Sequence, residues 1–151
     1  MIKSHTLFVL GLVMVSLAVQ AAELPAPEKD EMPITELQAQ LFSLNGKIIE
    51  TEITSATNFE QVAAGKYRAY CYYYKGTSSS ISGESILIPE EGKEFFEELS
   101  KKDFWNSSSK TVYLMVHSEK PVRVKGGNSS WSFKLEAVGT KYRKSKNEYR
   151  W

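Results

Sequence analysis

The sequence predicts a small, mainly β domain of the α+β class, with five strands, a helix between the third and fourth strands, and a short N-terminal helix. Residues 66–74 (KYRAYCYYY) are aromatic and alternating, which is typical of a half-buried strand. Residues 90–103 place Phe95, Phe96 and Leu99 at helical spacing. Four further segments have strand patterns, and 151 residues are too few for two full domains.

Residues 1–21 have the anatomy of a secretory signal peptide. A short basic start precedes an apolar run at residues 6–19, and Ala21 is the expected cleavage site. This run is shorter than the roughly 20 residues that span a bilayer as a helix. We therefore expect a secreted or periplasmic protein with no stable membrane anchor after cleavage. An uncleaved membrane anchor is the alternative.

Residues 22–32 are acidic, contain prolines and lack periodicity, so they predict a flexible acidic leader. From Ile34 to Leu44 apolar residues recur at spacings of three and four, which predicts the short N-terminal helix. The Asn45-Gly46 pair supplies a signal for the end of that helix.

Five segments carry strand patterns, and Gly83 is a candidate bulge in the third of them. The five predicted strands cover residues 47–54, 66–74, 81–88, 111–118 and 131–138. The helix at 90–103 has acidic residues early and lysines late, as the helix dipole favours. The basic aromatic tail at 143–151 is expected either to add an edge strand or to stay mobile.

This order of elements, together with Asn45-Gly46-Lys47 before the first strand, resembles secreted bacterial domains of the oligonucleotide/oligosaccharide-binding (OB) fold. The resemblance implies a five-stranded OB-like barrel over residues 33–142. It also implies that the strand at 66–74 belongs to the face on which relatives bind ligands. No catalytic or ligand motif accompanies it, and another small antiparallel α+β sheet is the competing fold.

The composition excludes several kinds of site. One cysteine and two histidines cannot make a disulfide framework, a zinc finger or an iron–sulfur cluster. Cys71 and His117 are the one possible thiol–imidazole pair, and no third group to orient them is evident. The glutamates of 90–98 could serve a hydrolase only if two of them flanked a cleft. We expect no catalytic residue, no metal site and no cofactor.

The aromatic strand has two different faces, because side chains alternate along a strand. One face carries Arg68, Tyr70, Tyr72 and Tyr74, and the other carries Tyr67, Ala69, Cys71 and Tyr73. The second face has the small residues and the thiol, so we assign it to the core and expect Cys71 to be buried and unreactive. The first face then exposes tyrosines that can stack on bases or sugar rings. Packing across strands is the alternative role for these tyrosines.

Charge is divided unevenly along the chain. Residues 23–103 carry 8 basic and 15 acidic side chains, whereas residues 120–151 carry 9 basic and 2 acidic ones. The basic end is interleaved with aromatic residues, a mixture that suits anionic chains. Its candidate ligand-binding residues are Arg143, Lys144, Lys146 and Arg150. The alternative is that these charges only neutralise the acidic part of the chain.

Together these observations predict a non-enzymatic binding module, expected to be a monomer. Its ligand would be an anionic or sugar-containing polymer, with tyrosines for stacking and basic residues for electrostatic attraction. The alternative function is a protein–protein interaction or inhibitor module of the cell envelope, in which the same tyrosines anchor a partner protein.

Overall fold

The computed structural model describes residues 23–32, 34, 43–72, 83–102, 108–119 and 132–151. The predicted signal peptide and most of the predicted N-terminal helix lie outside these residues. Within the described part of the chain, no helix has the length and apolar character needed to cross a membrane.

The domain is mostly β, with one six-stranded sheet, one small two-stranded sheet and one α-helix. The large sheet contains β1 (Ile48–Ile53), β2 (Ser55–Ala63), β3 (Lys66–Tyr72), β4 (Gly83–Pro89), β5 (Lys110–Glu119) and β6 (Ser132–Gly139). Their order is β1-β5-β6-β4-β3-β2, and every pair is antiparallel except β4 with β6. A 3-10 turn at Glu90–Gly92 leads into helix α1 (Lys93–Ser100), between β4 and β5.

The two edge strands of the large sheet are neighbours in sequence, because only Thr54 separates β1 from β2. The backbone N–H and the side-chain hydroxyl of Thr54 both donate to the carbonyl oxygen of Tyr72, at 2.7 and 3.2 Å. Thr54 is buried, so these bonds satisfy polar groups that water cannot reach. The bonds tie the junction of β1 and β2 to the end of β3.

The core lies between the inner face of the sheet and helix α1. Alternate residues of β3, β4 and β5 point inward and are almost completely buried, as the period of a strand requires. Phe96 and Leu99 of α1 are buried against them. Burial of each large apolar side chain contributes roughly 1.5–3 kcal/mol, so this face is the main stabilising part of the domain.

All five predicted strands are present, with ends shifted by at most one residue where those ends are described. The helix is shorter than predicted, because residues 90–92 form the 3-10 turn and the helix ends at Ser100. Strand β2 was not predicted. Its sequence, SATNFEQVA, lacks alternation because seven of its nine positions are not buried, and its register with β3 shifts twice. Gly83 pairs in regular register with Tyr72, so the expected bulge there was wrong.

The C-terminal tail forms a hairpin of its own and does not add an edge strand to the large sheet. Strands β7 (Lys141–Arg143) and β8 (Glu148–Arg150) pair around a 3-10 turn that ends at Asn147. Asn147 has φ 46°, the left-handed conformation that asparagine tolerates better than most residues. We call Lys141–Arg150 the C-terminal hairpin.

The acidic leader lies along the free edge of β1. The N–H of Glu28 donates to the carbonyl oxygen of Ile48 at 2.7 Å, and the N–H of Met32 donates to the carbonyl oxygen of Glu50 at 3.0 Å. An unpaired strand edge is a template for pairing with other chains, and this segment covers it.

Candidate functional site

The outer surface of β3 carries three of the predicted site residues, Arg68, Tyr70 and Tyr72, which we call the β3 tyrosine face. Arg68 is exposed, Tyr70 is 37% exposed and Tyr72 is half-buried. On the opposite surface of β3, Tyr67, Ala69 and Cys71 are buried, which confirms the predicted assignment of the core face as far as Tyr72. Tyr74 lies outside the described residues.

The position of the two tyrosine rings depends on Gly83 of β4. The rings of Tyr70 and Tyr72 meet edge to face, with their centroids 4.9 Å apart. A Cβ atom at Gly83 would lie 2.8 Å from Tyr72 Cδ1 and 2.9 Å from Tyr70 Cε1, so the rings occupy the space that a side chain would need. The absence of a side chain at Gly83 therefore lets the aromatic pair lie against the sheet.

Polar contacts surround the aromatic pair. Arg68 donates from Nη2 and Nε to Glu60 Oε1 of β2, at 2.6 and 3.1 Å. The Thr57 hydroxyl donates to the Tyr72 hydroxyl at 3.3 Å. Both side chains of the ion pair are about half exposed, so the pair adds little stability but presents donors and acceptors to solvent. The face thus combines an exposed ring with hydrogen-bonding groups of both kinds.

The four basic candidates of the tail lie on the C-terminal hairpin. Arg143, Lys144 and Lys146 are exposed, and Arg150 forms an ion pair with Glu148 at 2.8 Å. The hydrogen bond from Arg150 lowers the pKa of Glu148, and the positive charges of Arg150, Lys146 and Arg143 contribute to the same shift. The hairpin therefore forms a basic surface around one carboxylate.

The structure brings the predicted residues together as two groups and not as one site. The hairpin contacts β5 and β6, while β4 lies between β6 and β3. Neighbouring strands are about 4.8 Å apart, so β3 lies roughly 10 Å from β6 across the sheet. Tyrosine stacking and the attraction by tail charges would therefore act from two separate parts of the surface.

Three further tyrosines, which the sequence did not single out as a group, form a tyrosine cluster of Tyr113, Tyr142 and Tyr149. Their ring centroids are 4.9–6.2 Å apart. The Tyr113 hydroxyl donates to Glu50 at 3.0 Å, and the Tyr149 hydroxyl donates to the Pro25 carbonyl at 2.8 Å. Burial raises the pKa of Tyr113 to about 12, with the Glu50 carboxylate adding to the shift, and burial also raises the pKa of Tyr149.

The cluster and the last residue attach the hairpin to the domain. Asn147 donates from Nδ2 to the Leu24 carbonyl at 3.0 Å, and Tyr142 donates to Asn147 Oδ1 at 2.8 Å. The Trp151 ring contacts Phe96 edge to face and occupies the space beside Gly92. Most aromatic residues of the basic tail are therefore structural.

The thiol and the imidazole do not form a catalytic pair. Cys71 is fully buried, as predicted, and burial raises the pKa of its thiol far above the ordinary range. His117 lies on β5, which β4 and β6 separate from β3, and its Nε2 atom is 3.6 Å from Glu136. A reactive thiolate needs the opposite environment, with a lowered pKa and access to solvent.

The glutamates near α1 also have structural contacts. Glu90 accepts a hydrogen bond from the Tyr67 hydroxyl at 2.8 Å, and Glu97 forms an i,i+4 ion pair with Lys101 at 3.4 Å. Among the described residues, no group of three or more His, Cys, Asp or Glu side chains is arranged to hold a metal ion.

The sequence matches no known family of proteins and no curated protein in the comparisons made. The assignment of a function to the candidate site therefore depends on the geometry described above.

Proposed function

We propose that this protein is a non-enzymatic binding module and that the β3 tyrosine face holds an extended polymer. The observation that carries the proposal is the exposed Tyr70 ring, fixed against Gly83 and Tyr72 and flanked by the Arg68–Glu60 pair. A fixed ring loses little entropy on binding, and stacking on such a ring is worth roughly 1–3 kcal/mol per base where it has been measured.

The proposed ligand is a sugar-containing or anionic polymer. A sugar ring or a base would stack on Tyr70, while the guanidinium of Arg68 donates to hydroxyl or phosphate oxygens and Glu60 accepts from hydroxyl groups. The C-terminal hairpin would attract an anionic chain only through its long-range field, because β4 and β6 separate the hairpin from β3.

We further propose that the large sheet is an OB-like barrel, with β1 and β2 as two halves of one strand bent at Thr54. Two facts support this: β1 and β2 occupy opposite edges, and α1 then lies between the third and fourth of five strands. In OB folds the face of the second and third strands binds ligands, and here these strands would be β3 and β4. Slow amide exchange at 53–56, comparable with β3, is expected, and fast exchange would indicate an open edge.

Secretion belongs to the proposal as well. Residues 1–21 would be removed after Ala21, so that the leader begins at Ala22, one residue before the described segment that lies along β1. Mass measurement of the protein recovered after export tests this. A mature chain that starts at Ala22 is expected, and an intact Met1 in the recovered protein would contradict it.

The binding proposal is tested by a two-dimensional amide NMR titration with a neutral oligosaccharide, a sulfated oligosaccharide and a single-stranded oligonucleotide, at two salt concentrations. Shifts in β3 and β4 are expected with at least one of them. Tyr70→Ala should weaken that binding about tenfold, since one stacking contact is lost.

Two matched variants control the experiment. Arg68→Gln is expected to weaken binding, whereas Arg143→Gln on the hairpin removes the same charge and should change the affinity only at low salt. The absence of shifts in β3 and β4 with all three polymers, in a well-dispersed spectrum, would overturn the proposal.

A further inference from the structure

A continuous groove crosses the outer face of β4 and β6, beside the β3 tyrosine face and separate from it. It consists of three adjoining cavities of about 240, 390 and 460 Å³. Each cavity shares wall residues with the next one. The shared residues are Pro89, Glu91, Glu136, Leu24, Val138 and Tyr149. We call this feature the charged groove.

The middle of the charged groove is apolar and held in place. Met115, Val138 and Trp151 line it, with Leu24 and Tyr149 at its junction with the third cavity. Phe96 contacts the Trp151 ring, and the Tyr149 hydroxyl donates to the Pro25 carbonyl at 2.8 Å. Walls that are already fixed lose little entropy when a ligand binds, so this part suits one apolar side chain.

One end of the groove is acidic. Glu90, Glu91 and Glu136 line it, and Lys66 is the one cation among the lining residues there. Glu90 and Glu91 are exposed, His117 Nε2 lies 3.6 Å from Glu136, and the charge of Lys93 acts on Glu90. The lining of this end therefore carries three carboxylates and one lysine, an excess of negative charge.

The other end is basic. Lys146 and Arg150 line it together with Glu148, which is already paired with Arg150. Lys146 is exposed and, among the described residues, forms no ion pair. The exposed Arg143 and Lys144 belong to the same hairpin, so positive charge dominates at this end.

We propose that the charged groove binds an extended polypeptide segment of a partner protein, with a basic side chain at the Glu91–Glu136 end, an apolar side chain in the middle and an acidic group at the Lys146 end. The argument is charge complementarity along one groove. A polyanion would be repelled at the acidic end, and an uncharged glycan would use neither end. A polypeptide carries both signs of charge around an apolar residue, and this binding does not depend on the β3 tyrosine face.

The test uses blocked synthetic peptides with a central leucine and a charged residue on each side, two, three or four positions away. One series has aspartate and lysine, a second has two aspartates and a third has two lysines. Amide NMR titration of the full protein is expected to give the tightest binding for the mixed series, with shifts in β4, β6 and the C-terminal hairpin. Higher salt should weaken it, because exposed charges are screened.

Two variants separate the ends of the groove. Glu91→Gln should weaken binding of the mixed and the two-lysine peptides by roughly two- to fivefold and leave the two-aspartate peptides unchanged. Lys146→Gln should weaken binding of the mixed and the two-aspartate peptides by a similar factor and leave the two-lysine peptides unchanged. Glu98→Gln and Lys102→Gln remove the same charges at exposed positions of α1 and its C-terminal end, outside the groove lining, so they should change nothing.

Three outcomes would overturn the inference. They are no binding by any peptide, equal binding by all three series, and mixed-peptide binding that is unaffected by both Glu91→Gln and Lys146→Gln. Tyr70→Ala should leave peptide binding unchanged, so failure of the polymer proposal and failure of this one are observed separately.

Discussion

Tyr113 of β5 packs against Tyr142 and Tyr149 of the C-terminal hairpin, and the three hydroxyls donate to Glu50, Asn147 and Pro25. On β3, the rings of Tyr70 and Tyr72 pack edge to face and against Gly83, the Tyr72 hydroxyl accepts from Thr57, and Tyr70 stays 37% exposed. The chain therefore uses the same side chain in two ways. The cluster joins the hairpin to β1, β5 and the leader, so its tyrosines hold the fold together, whereas the exposed ring of Tyr70 is left for the proposed ligand.

The largest expected effect is the difference in stability between two tyrosine-to-alanine variants. Tyr149→Ala removes a ring from the cluster and its bond to Pro25, so we expect it to lower the free energy of unfolding by about 2–3 kcal/mol. Tyr70→Ala should lower it by less than about 1 kcal/mol. Urea unfolding measures both, and an equal loss in the two variants would contradict the comparison.

A smaller effect is expected at alkaline pH. The pKa of Tyr113 is about 12 in the folded protein and about 10 in the unfolded chain. The unfolded chain therefore loses this proton first, and stability falls as the pH rises from about 10 to about 12, by on the order of 2 kcal/mol. The free energy of unfolding, measured at several pH values across this range, should fall less steeply with pH for Tyr113→Phe than for the unchanged protein. The same dependence of the free energy of unfolding on pH in both proteins would show that the Tyr113 proton is not linked to folding.

The third prediction concerns the glycine beneath the open face. Gly83→Ala should lower stability by about 1–2 kcal/mol, because the new methyl group would lie 2.5 Å from the Cys71 carbonyl oxygen and 2.8–2.9 Å from the rings of Tyr72 and Tyr70. It should also change the chemical shifts of both rings. Ser85→Ala, on the same strand and face, is the control for stability and should not lower it, because a Cβ atom is already present there. A Gly83→Ala protein with unchanged ring shifts would mean that the rings do not lie against this residue.

The sequence predicts the elements whose burial leaves a local pattern of apolar residues, and it misses those that form by pairing with a distant segment. Strand β3 and helix α1 were predicted because burial on one face leaves an alternation, or a spacing of three and four, that is local. Strand β2 leaves no such pattern, since most of its residues are outside the core. It forms because β3 offers an edge to pair with, which is information from another part of the chain.

In the candidate site, too, the features with a local sequence pattern could be predicted and those that depend on distant parts of the chain could not. The orientation of Tyr70 and Cys71 follows from strand alternation alone, so it could be predicted. The structural use of Tyr149 depends on Pro25, 124 residues away, and no local pattern reports such a contact. The charged groove likewise combines residues from the leader, β4, β6 and the hairpin, whose proximity only the fold creates.

The measurement that tests the central claim most directly is an NMR spectrum of the ring carbons of the 8 tyrosines, with and without the polymer that binds. We expect the signals of Tyr70 and Tyr72 to shift on binding and those of Tyr113, Tyr142 and Tyr149 to stay in place. Shifts confined to the tyrosine cluster, with Tyr70 and Tyr72 unmoved, would contradict the assignment of one group to binding and the other to stability.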